Sequence, residues 1–362
     1  MHPRISMMLR ALSSVLGLLF ALPILGLIAL AFVLPITISG IGYVIGCALA
    51  IFGLLIAPWG RKYSLILVLT DVIVIALVAG TRLVLTKRDR TSNLRVITLP
   101  QGKETRWINT LIDEQDSLIL GEALFHRIGG DSPWEHEGIT TALHTAYSEM
   151  RSAQRVFASP FVSTYLGLQR PTSFDTVIIK PEVVRHSEVA VIFLHGYMGN
   201  VTAQCWEIAQ AAGKFGAITV CPSTDWKGQW WQPEGQAILQ AIFRYLREQG
   251  TEKFYLGGFS NGGFGISRLV SKLSKEDGLS GLFFIDGIAG GASIKETGLP
   301  ILIIEGAQDE RVPAGEVRQI AEVIGDLATY VELEGDHFII MKHPKLVQDT
   351  ITAWLENHEA NK

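Results

Sequence analysis

The sequence predicts an α/β domain with a mainly parallel sheet, preceded by helices that cross a membrane. Three observations predict this arrangement. No Asp, Glu, Lys or Arg occurs between Arg10 and Arg61. Residues 1–95 carry nine basic and two acidic residues, whereas residues 96–362 carry 22 basic and 33 acidic residues. From about residue 174, short β-branched runs alternate with helical patterns, which is typical of parallel strands covered by helices on both faces.

Composition and length narrow the function classes. With 48% hydrophobic and 18% charged residues, the chain is too apolar to be disordered. The net negative charge after residue 95 argues against nucleic acid as a partner. A length of 362 residues allows several folding units. The predicted division is a membrane anchor over 1–90, a helical linker or cap over 91–170, and an α/β domain over 171–362.

The anchor is predicted from its long uncharged stretch. About 20 residues of helix cross the ~30 Å of bilayer hydrocarbon, and residues 11–60 provide more than twice that number. A secretory signal peptide usually has a shorter apolar core of about 7–15 residues. The apolar runs predict three spans, residues 11–34, 36–58 and 63–85. We therefore expect an integral, multi-pass membrane protein in contact with membrane lipids.

Charges near the third span leave the orientation open. Four basic residues favour one orientation (Arg4, Arg10, Arg61 and Lys62) and five favour the other (Arg82, Lys87, Arg88, Arg90 and Arg95), so the excess of positive charge that marks the cytoplasmic side does not decide. The span contains one acid, Asp71. Because an acid is costly inside a membrane, Asp71 is expected near the headgroups, paired with Arg61 or Lys62.

Three motifs predict acyl-transfer chemistry. GFSNG, residues 258–262, lies between a strand and a helix, where small residues let a sharp turn present Ser260 at the start of the helix. Asp309 follows the next strand but one in EGAQDERVP, and His337 follows the last strand in EGDHF. Serine needs a base to attack at neutral pH, so His337 is the predicted base and Asp309 the acid that orients it. Asp286 is the alternative acid.

Two further segments are expected around Ser260. In HGYMGN, the turn after His195-Gly196 can direct the backbone N–H of Tyr197 or Met198 at a developing oxyanion, with the N–H of Asn261 as the second donor. We expect His195 to be structural. The aromatic loop after residue 221 carries Trp226, Trp230 and Trp231. These side chains either line a pocket for an acyl or aromatic group, pack on the adjacent helix, or touch the membrane interface.

Residues 174–360 resemble the α/β-hydrolase superfamily, in its esterase and lipase-like branch, through HGYMGN, GFSNGG, EGAQDERVP and EGDHF taken in order. The resemblance implies an eight-stranded, mostly parallel sheet, with helices on both faces, and acyl transfer through a serine ester. It also implies that no metal or organic cofactor is used. Little sequence separates GLFFIDG from PILIIEG, where many relatives insert a lid, so the pocket is expected to be open unless helices of 96–170 cover it.

The expected function is a membrane-anchored serine hydrolase that cleaves carboxylic esters or thioesters of small-molecule or lipid-like substrates. One alternative is a serine peptidase, because GFSNGG also resembles the elbow of prolyl-oligopeptidase-like enzymes. A second is a catalytically silent, membrane-bound interaction module. Cys205 and Cys221 are either a disulfide or two buried free thiols, and the sequence favours the free thiols.

Overall fold

A computed structural model describes residues 33–57, 59–88, 93–127, 138–273 and 278–360, together with single positions before residue 33. The chain forms two compact units. The N-terminal unit comprises Met1–Arg88 and Thr110–Glu135, and the sheet unit comprises Asp89–Asn109 and His136–Lys362.

Two apolar helices pack together in the N-terminal unit, α1 (Ile38–Ile56) and α2 (Arg61–Arg88). By length and composition, α1 and the stretch Arg61–Thr86 of α2 can cross a membrane, with mean hydropathies of 2.2 and 2.4. Gly46 and Gly53 of α1 lie directly against side chains of α2, and small residues of this kind let two helix backbones approach closely. These helices lie at the second and third predicted spans. The first, residues 11–34, lies largely outside the described residues.

Polar contacts hold the start of α1. The short helix α3 (Ile108–Leu111) is followed by α4 (Glu114–Arg127), whose Asp116 accepts the backbone N–H of Thr37 at 2.7 Å. Arg82 of α2 forms a buried ion pair with Asp113 at 3.1 Å. Both contacts lie within the N-terminal unit, so its two apolar helices are tied to the polar segment that follows them.

Asp71 is placed differently from the prediction. Its side chain is buried against Gly46 of α1, and its Oδ1 has no hydrogen-bond partner among the described residues. The expected pairing with Arg61 or Lys62 fails because Asp71 lies almost three helical turns beyond them, on the face of α2 that packs on α1.

The sheet unit is built on nine strands in the order β2-β1-β3-β5-β4-β6-β7-β8-β9. Strands from β5 to β9 in this order are parallel, whereas β1, β2 and β3 add an antiparallel edge. The mainly parallel sheet is therefore confirmed. The strands are β1 (Leu94–Leu99), β2 (Lys103–Glu104), β3 (Phe174–Ile179), β4 (Val189–Leu194), β5 (Ile218–Pro222), β6 (Lys253–Phe259), β7 (Leu279–Ile285), β8 (Ile301–Gly306) and β9 (Ala328–Leu333).

The sheet has nine strands, not the eight expected. Two of them, β1 and β2, lie within residues 91–170, which were expected to be helical. Six consecutive residues of β1 pair with β3, and their side chains are alternately buried and exposed at the start of the strand. A run of six residues is too short for its period to separate strand from helix with certainty. Pairing with a distant strand decides its structure.

Helices cover both faces of the sheet. α8, α9 and α11 share one hydrophobic core with alternate residues of the strands, while Trp354 of α13 packs on Tyr255 and Phe283 from the opposite face. β4 is buried along its whole length, as expected for a central parallel strand. The helices are α5 (Ile139–Ala153), α6 (Phe161–Tyr165), α7 (Thr202–Phe215), α8 (Pro233–Glu248), α9 (Asn261–Leu273), α10 (Gly291–Lys295), α11 (Ala314–Ile324), α12 (Ile339–Lys342) and α13 (Pro344–Ala360).

A disulfide joins Cys205 of α7 to Cys221 of β5, so the expectation of two free thiols is wrong. α7 packs directly on β5 in the sheet unit, which brings the two Cα atoms to 6.1 Å. Disulfides usually span about 4.4–6.8 Å between Cα atoms. The sequence could not supply this distance because it depends on how the helix returns over the sheet.

Candidate active site

Ser260 lies on a sharp turn between β6 and α9. Its φ of +50° is unusual for a residue with a side chain and costs backbone free energy. The turn closes because its neighbours are glycines. A Cβ on Gly258 would lie 2.4 Å from the carbonyl carbon of Gly262, and one on Gly262 would lie 2.0 Å from the carbonyl oxygen of Leu194. The predicted glycine-dependent turn thus holds Ser260 at the start of α9.

Three predicted site residues form one hydrogen-bonded chain. His337 Nε2 lies 2.9 Å from Ser260 Oγ, and His337 Nδ1 lies 2.7 Å from Asp309 Oδ2. Asp309 follows β8, and His337 follows β9. All three side chains are largely buried, so the contacts between them are shielded from water.

The surroundings of Asp309 favour its ionised form. Burial by itself would raise the pKa of Asp309, but the hydrogen bond and charge of His337, together with two backbone N–H groups, hold the pKa below its ordinary value. The N–H groups belong to Arg311 and Val312 and reach Oδ1 at 2.8 and 3.0 Å. Asp309 can therefore fix the His337 ring while carrying a negative charge.

The loop after β4 passes beside Ser260. A Cβ on Gly196 would lie 3.0 Å from Ser260 Cβ, so only glycine permits this approach. Met198 has a φ of +83°. In the described part of the chain, the backbone N–H groups of Tyr197 and Met198 donate to no acceptor. This geometry leaves two N–H groups available close to the serine.

Residues 235–340 match the model of an alpha/beta hydrolase family. The match begins in α8, ends in α12 and includes Ser260, Asp309 and His337. Together with the mostly parallel sheet, it supports an α/β-hydrolase fold and a hydrolase.

Solved structures of similar proteins cover about half of this chain. An alpha-beta serine hydrolase homologue from Coxiella burnetii is 19% identical, with 50% of this chain and 91% of that chain covered and a TM-score of 0.42. An a/b serine hydrolase without lid from Xanthomonas campestris is 20% identical, with coverages of 51% and 89% and a TM-score of 0.42. The esterase domain of a Rhodothermus marinus protein is 14% identical, with coverages of 50% and 92% and a TM-score of 0.42. No curated protein gives a significant sequence match to this chain.

His195 fastens the loop beside the serine. Its Nδ1–H donates to Gly196 O at 2.8 Å, and its Nε2 accepts the N–H of Thr224 at 3.2 Å. Complete burial lowers the pKa of His195 to about 4, so the ring is neutral at physiological pH. Both ring nitrogens are bonded to backbone groups, one in the loop after β4 and one in the loop after β5, which agrees with the structural role expected for this residue.

The three tryptophans have different surroundings. Trp230 is fully buried, and its Nε1–H donates to His195 O at 2.9 Å. The guanidinium of Arg268 covers Trp231 at 4.0 Å from the ring centre. Trp226 lies 5.0 Å from the ring of Tyr197, which follows Gly196 in the loop that passes Ser260. The prediction that Trp230 lines a pocket is therefore wrong, because its ring belongs to the hydrophobic core. Trp231 packs on Arg268 of α9.

Sequence reasoning missed one aromatic residue at this rim. Tyr165 of α6 stacks on Trp226 at 6.0 Å, and about two fifths of its surface is exposed. Tyr165 belongs to residues 91–170, where the sequence shows no motif of known function. Only the tertiary structure brings it beside Trp226. Tyr165, Tyr197 and Trp226 form what we call the aromatic rim.

Asp286, the alternative acid, does not contact His337. It is fully buried at the end of β7, and its Oδ1 accepts the N–H of Gly306 at 3.0 Å. Sequence reasoning also missed Glu305 of β8, which is fully buried. Carboxyl oxygens of Asp286, Glu305 and Asp309 all lie within 4.8 Å of one another. Acids at this spacing either bind a cation or share protons.

Proposed function

We propose that the sheet unit is a serine hydrolase that cleaves carboxylic esters or thioesters, with Ser260 as nucleophile, His337 as base and Asp309 as the acid that orients the base. The observation that carries this proposal is the continuous chain from Ser260 Oγ through both nitrogens of His337 to Asp309, with contacts of 2.9 and 2.7 Å. The family match supports the hydrolase class.

In the proposed mechanism, His337 Nε2 removes the hydroxyl proton as Ser260 Oγ attacks the acyl carbon. Asp309 stabilises the imidazolium formed in this step. The N–H groups of Tyr197 or Met198 and of Asn261 stabilise the oxyanion. His337 then protonates the departing alcohol or thiol, and the same base activates the water that hydrolyses the acyl-enzyme.

The substrate site proposed here is open and partly aromatic. The connection from β7 to β8 contains only the five-residue helix α10, which leaves no room for a lid domain at that point. The aromatic rim is half-exposed next to the serine. We therefore propose small or lipid-like esters with an apolar acyl or aromatic group, because such groups gain most from contact with aromatic side chains.

We further propose that α1 and α2 anchor the enzyme in a membrane, with lipids as contacts. The Cys205–Cys221 disulfide supports an oxidising compartment for the sheet unit, because such bonds persist outside the cytosol. The test is thiol alkylation of acid-quenched cells in denaturant, with and without prior reduction, because both cysteines are buried in the folded protein. Labelling of Cys205 and Cys221 without reductant contradicts this orientation, whereas protection until reduction supports it.

The catalytic proposal is tested by labelling the detergent-solubilised full chain with a fluorophosphonate probe. Ser260→Ala and His337→Ala should lose labelling. Ser267→Ala is the matched control, because Ser267 is a buried serine of the same helix whose Oγ donates to Gly263 O. Equal labelling of Ser260→Ala and wild type would contradict the proposal, whereas no labelling of wild type would favour the silent interaction module.

Substrate panels then separate the acyl-transfer classes. p-Nitrophenyl esters and acyl-thioesters of increasing chain length report esterase and thioesterase activity. A proline-containing amide reports the prolyl-oligopeptidase-like alternative, which would use the same three residues. Ester or thioester turnover well above amide turnover supports the proposal, and the reverse order assigns a peptidase.

A further inference from the structure

Three carboxyl groups lie close together beside His337. They come from β8 and from the loops that follow β7 and β8. Asp286 directly follows β7, Glu305 lies in β8, and Asp309 lies in the loop that follows β8. Asp286 and Glu305 are fully inaccessible to solvent, and Asp309 is 5% exposed. Their carboxyl oxygens lie within 4.8 Å of one another. Three negative charges at this separation in a buried site would repel one another strongly.

The three acids differ in the hydrogen bonds that they accept. Asp309 accepts from His337 on Oδ2 and from two backbone N–H groups on Oδ1, and these donors stabilise its ionised form. Glu305 has no such donors in the described part of the chain. Among the described residues, neither Oε1 nor Oε2 of Glu305 receives a hydrogen bond, and Asp286 Oδ2 receives none. An ionised group buried without donors carries a large desolvation penalty.

Among the described residues, the charged groups that act most strongly on Glu305 are two acids, Asp309 and Glu332. On β9, Glu332 lies directly across from Glu305 in the strand register, and its carboxylate receives Arg318 and Tyr330. From the loop after β9, Asp336 is paired with Lys342. Other titratable groups near Glu305 in the described part of the chain are Asp286 after β7, Asp309 after β8, Tyr330 of β9, and His337, which contacts Asp309.

Burial and the charge of Asp309 raise the pKa of Glu305 to about 9. Burial and the charges of Glu305 and Asp309 raise the pKa of Asp286 as well. At neutral pH Glu305 therefore keeps its proton, and the pKa of Asp286 is shifted in the same direction. The pKa of Asp309 is instead held below its ordinary value, which matches the distribution of hydrogen-bond donors.

We propose that Glu305 is a positioning residue for the base: its protonated carboxyl donates a hydrogen bond to the carboxylate of Asp309. This inference rests on the proposed function, since it assigns a role to Glu305 through Asp309 and His337. The bond adds a fourth donor to Asp309 and restricts its rotation, so that Oδ2 stays directed at His337 Nδ1. The proton remains on Glu305 throughout turnover, and Glu305 adds no charge beside the imidazole.

A divalent cation is the competing occupant of the same cluster. Calcium takes six to eight oxygen ligands, and magnesium keeps several waters, whereas these three acids are buried and one of them already holds His337. A cation would also compete with His337 for the charge of Asp309. A shared proton satisfies Glu305 without this conflict.

The test compares Glu305→Gln with Glu305→Met in the detergent-solubilised full chain. Glutamine keeps a donor that never ionises, and methionine is of similar size but has no donor. Steady-state hydrolysis of a p-nitrophenyl ester is measured from pH 5 to 10, with Ser260→Ala as the blank. We expect kcat of the glutamine variant within about threefold of wild type, and kcat of the methionine variant about 10- to 100-fold lower with KM unchanged, as for loss of a hydrogen bond to a charged group.

The pH profile gives a readout that a merely structural role would not change. Wild-type kcat should fall above about pH 9 as Glu305 ionises, and the glutamine variant should keep its activity there. This comparison holds even if the methionine variant does not fold. Equal profiles of wild type and glutamine variant, or a methionine variant with unchanged kcat, would overturn the proposal.

Three further outcomes separate failure of this proposal from failure of the proposed function. A stoichiometric divalent metal in the purified wild type, absent from Glu305→Gln, would overturn the shared proton in favour of a cation site. Hydrolysis by Ser260→Ala equal to that of wild type would show that the proposed function itself fails. Loss of activity in Ser260→Ala with no response to either Glu305 substitution would reject the role of Glu305 alone.

Discussion

The choice of acid can be tested by a matched pair of substitutions, Asp309→Asn and Asp286→Asn. In Asp309→Asn, the amide oxygen can still accept the N–H groups of Arg311 and Val312, which now meet Oδ1. The amide NH₂ then faces His337 Nδ1. Two donors cannot share one hydrogen bond, so the imidazole must carry its proton on Nε2, towards Ser260.

An imidazole protonated on Nε2 cannot accept the proton of Ser260. In a related serine hydrolase geometry, the same exchange of acid for amide lowers kcat by about 10⁴. At about 1.36 kcal/mol for each factor of ten, this is a loss of about 5 kcal/mol of transition-state stabilisation. We expect a decrease of this order in kcat for Asp309→Asn, with KM nearly unchanged because no proposed substrate contact is removed.

Asp286→Asn serves as the control. Its amide oxygen can keep the hydrogen bond from Gly306 N–H, and Asp286 makes no hydrogen bond to His337, so kcat should stay within about threefold of wild type. The assay is steady-state ester hydrolysis at neutral pH, with fluorophosphonate labelling of both variants. A large loss in Asp286→Asn together with near wild-type activity in Asp309→Asn would refute the assignment of the acid.

Three further outcomes are expected. Gly262→Ala should abolish probe labelling of the serine because its Cβ would lie 2.0 Å from a carbonyl oxygen, whereas Gly315→Ala, with no atom within 4 Å of the new Cβ, should label normally; equal labelling would contradict the close turn. Thermal stability should fall as pH rises from about 5 to 9, because the folded state keeps the Glu305 proton up to a pKa of about 9 while the unfolded state releases it near its ordinary value; Glu305→Gln should flatten this slope, and an equal slope in both would contradict the raised pKa. Reduction should destabilise the sheet unit by about 3 kcal/mol, as expected for a disulfide that closes a loop of this size, in chemical denaturation; the doubly substituted Cys205→Ser, Cys221→Ser variant should not respond to reductant, and a response there would assign the effect to another cause.

Much of the fold is readable because it depends on residues close together in the chain. The long uncharged runs give α1 and α2 directly, since helix length and bilayer thickness are compared without knowledge of any partner. The glycines around Ser260 indicate a strand, a turn and a helix within about fifteen residues. The alternation of apolar runs with helical patterns indicates a parallel sheet, and the structure confirms it.

The meeting of Ser260, Asp309 and His337 in space could also be predicted, because each follows a strand whose carboxyl end lies at one edge of the sheet. Their catalytic roles stay predictions until the variants are measured. The choice between Asp309 and Asp286 needed coordinates, since both acids follow strands at that edge.

By itself, then, the sequence determined the apolar helices, the turn that carries Ser260, and the set of polar residues at the strand ends. Tertiary structure alone decided that β1 joins the sheet, that Cys205 meets Cys221, that Trp230 is buried, and that Glu305 lies beside Asp309. The physical reason is distance along the chain: turn chemistry and periodicity act between near neighbours, whereas pairing, burial and the ionisation of a buried acid depend on segments that fold together from far apart.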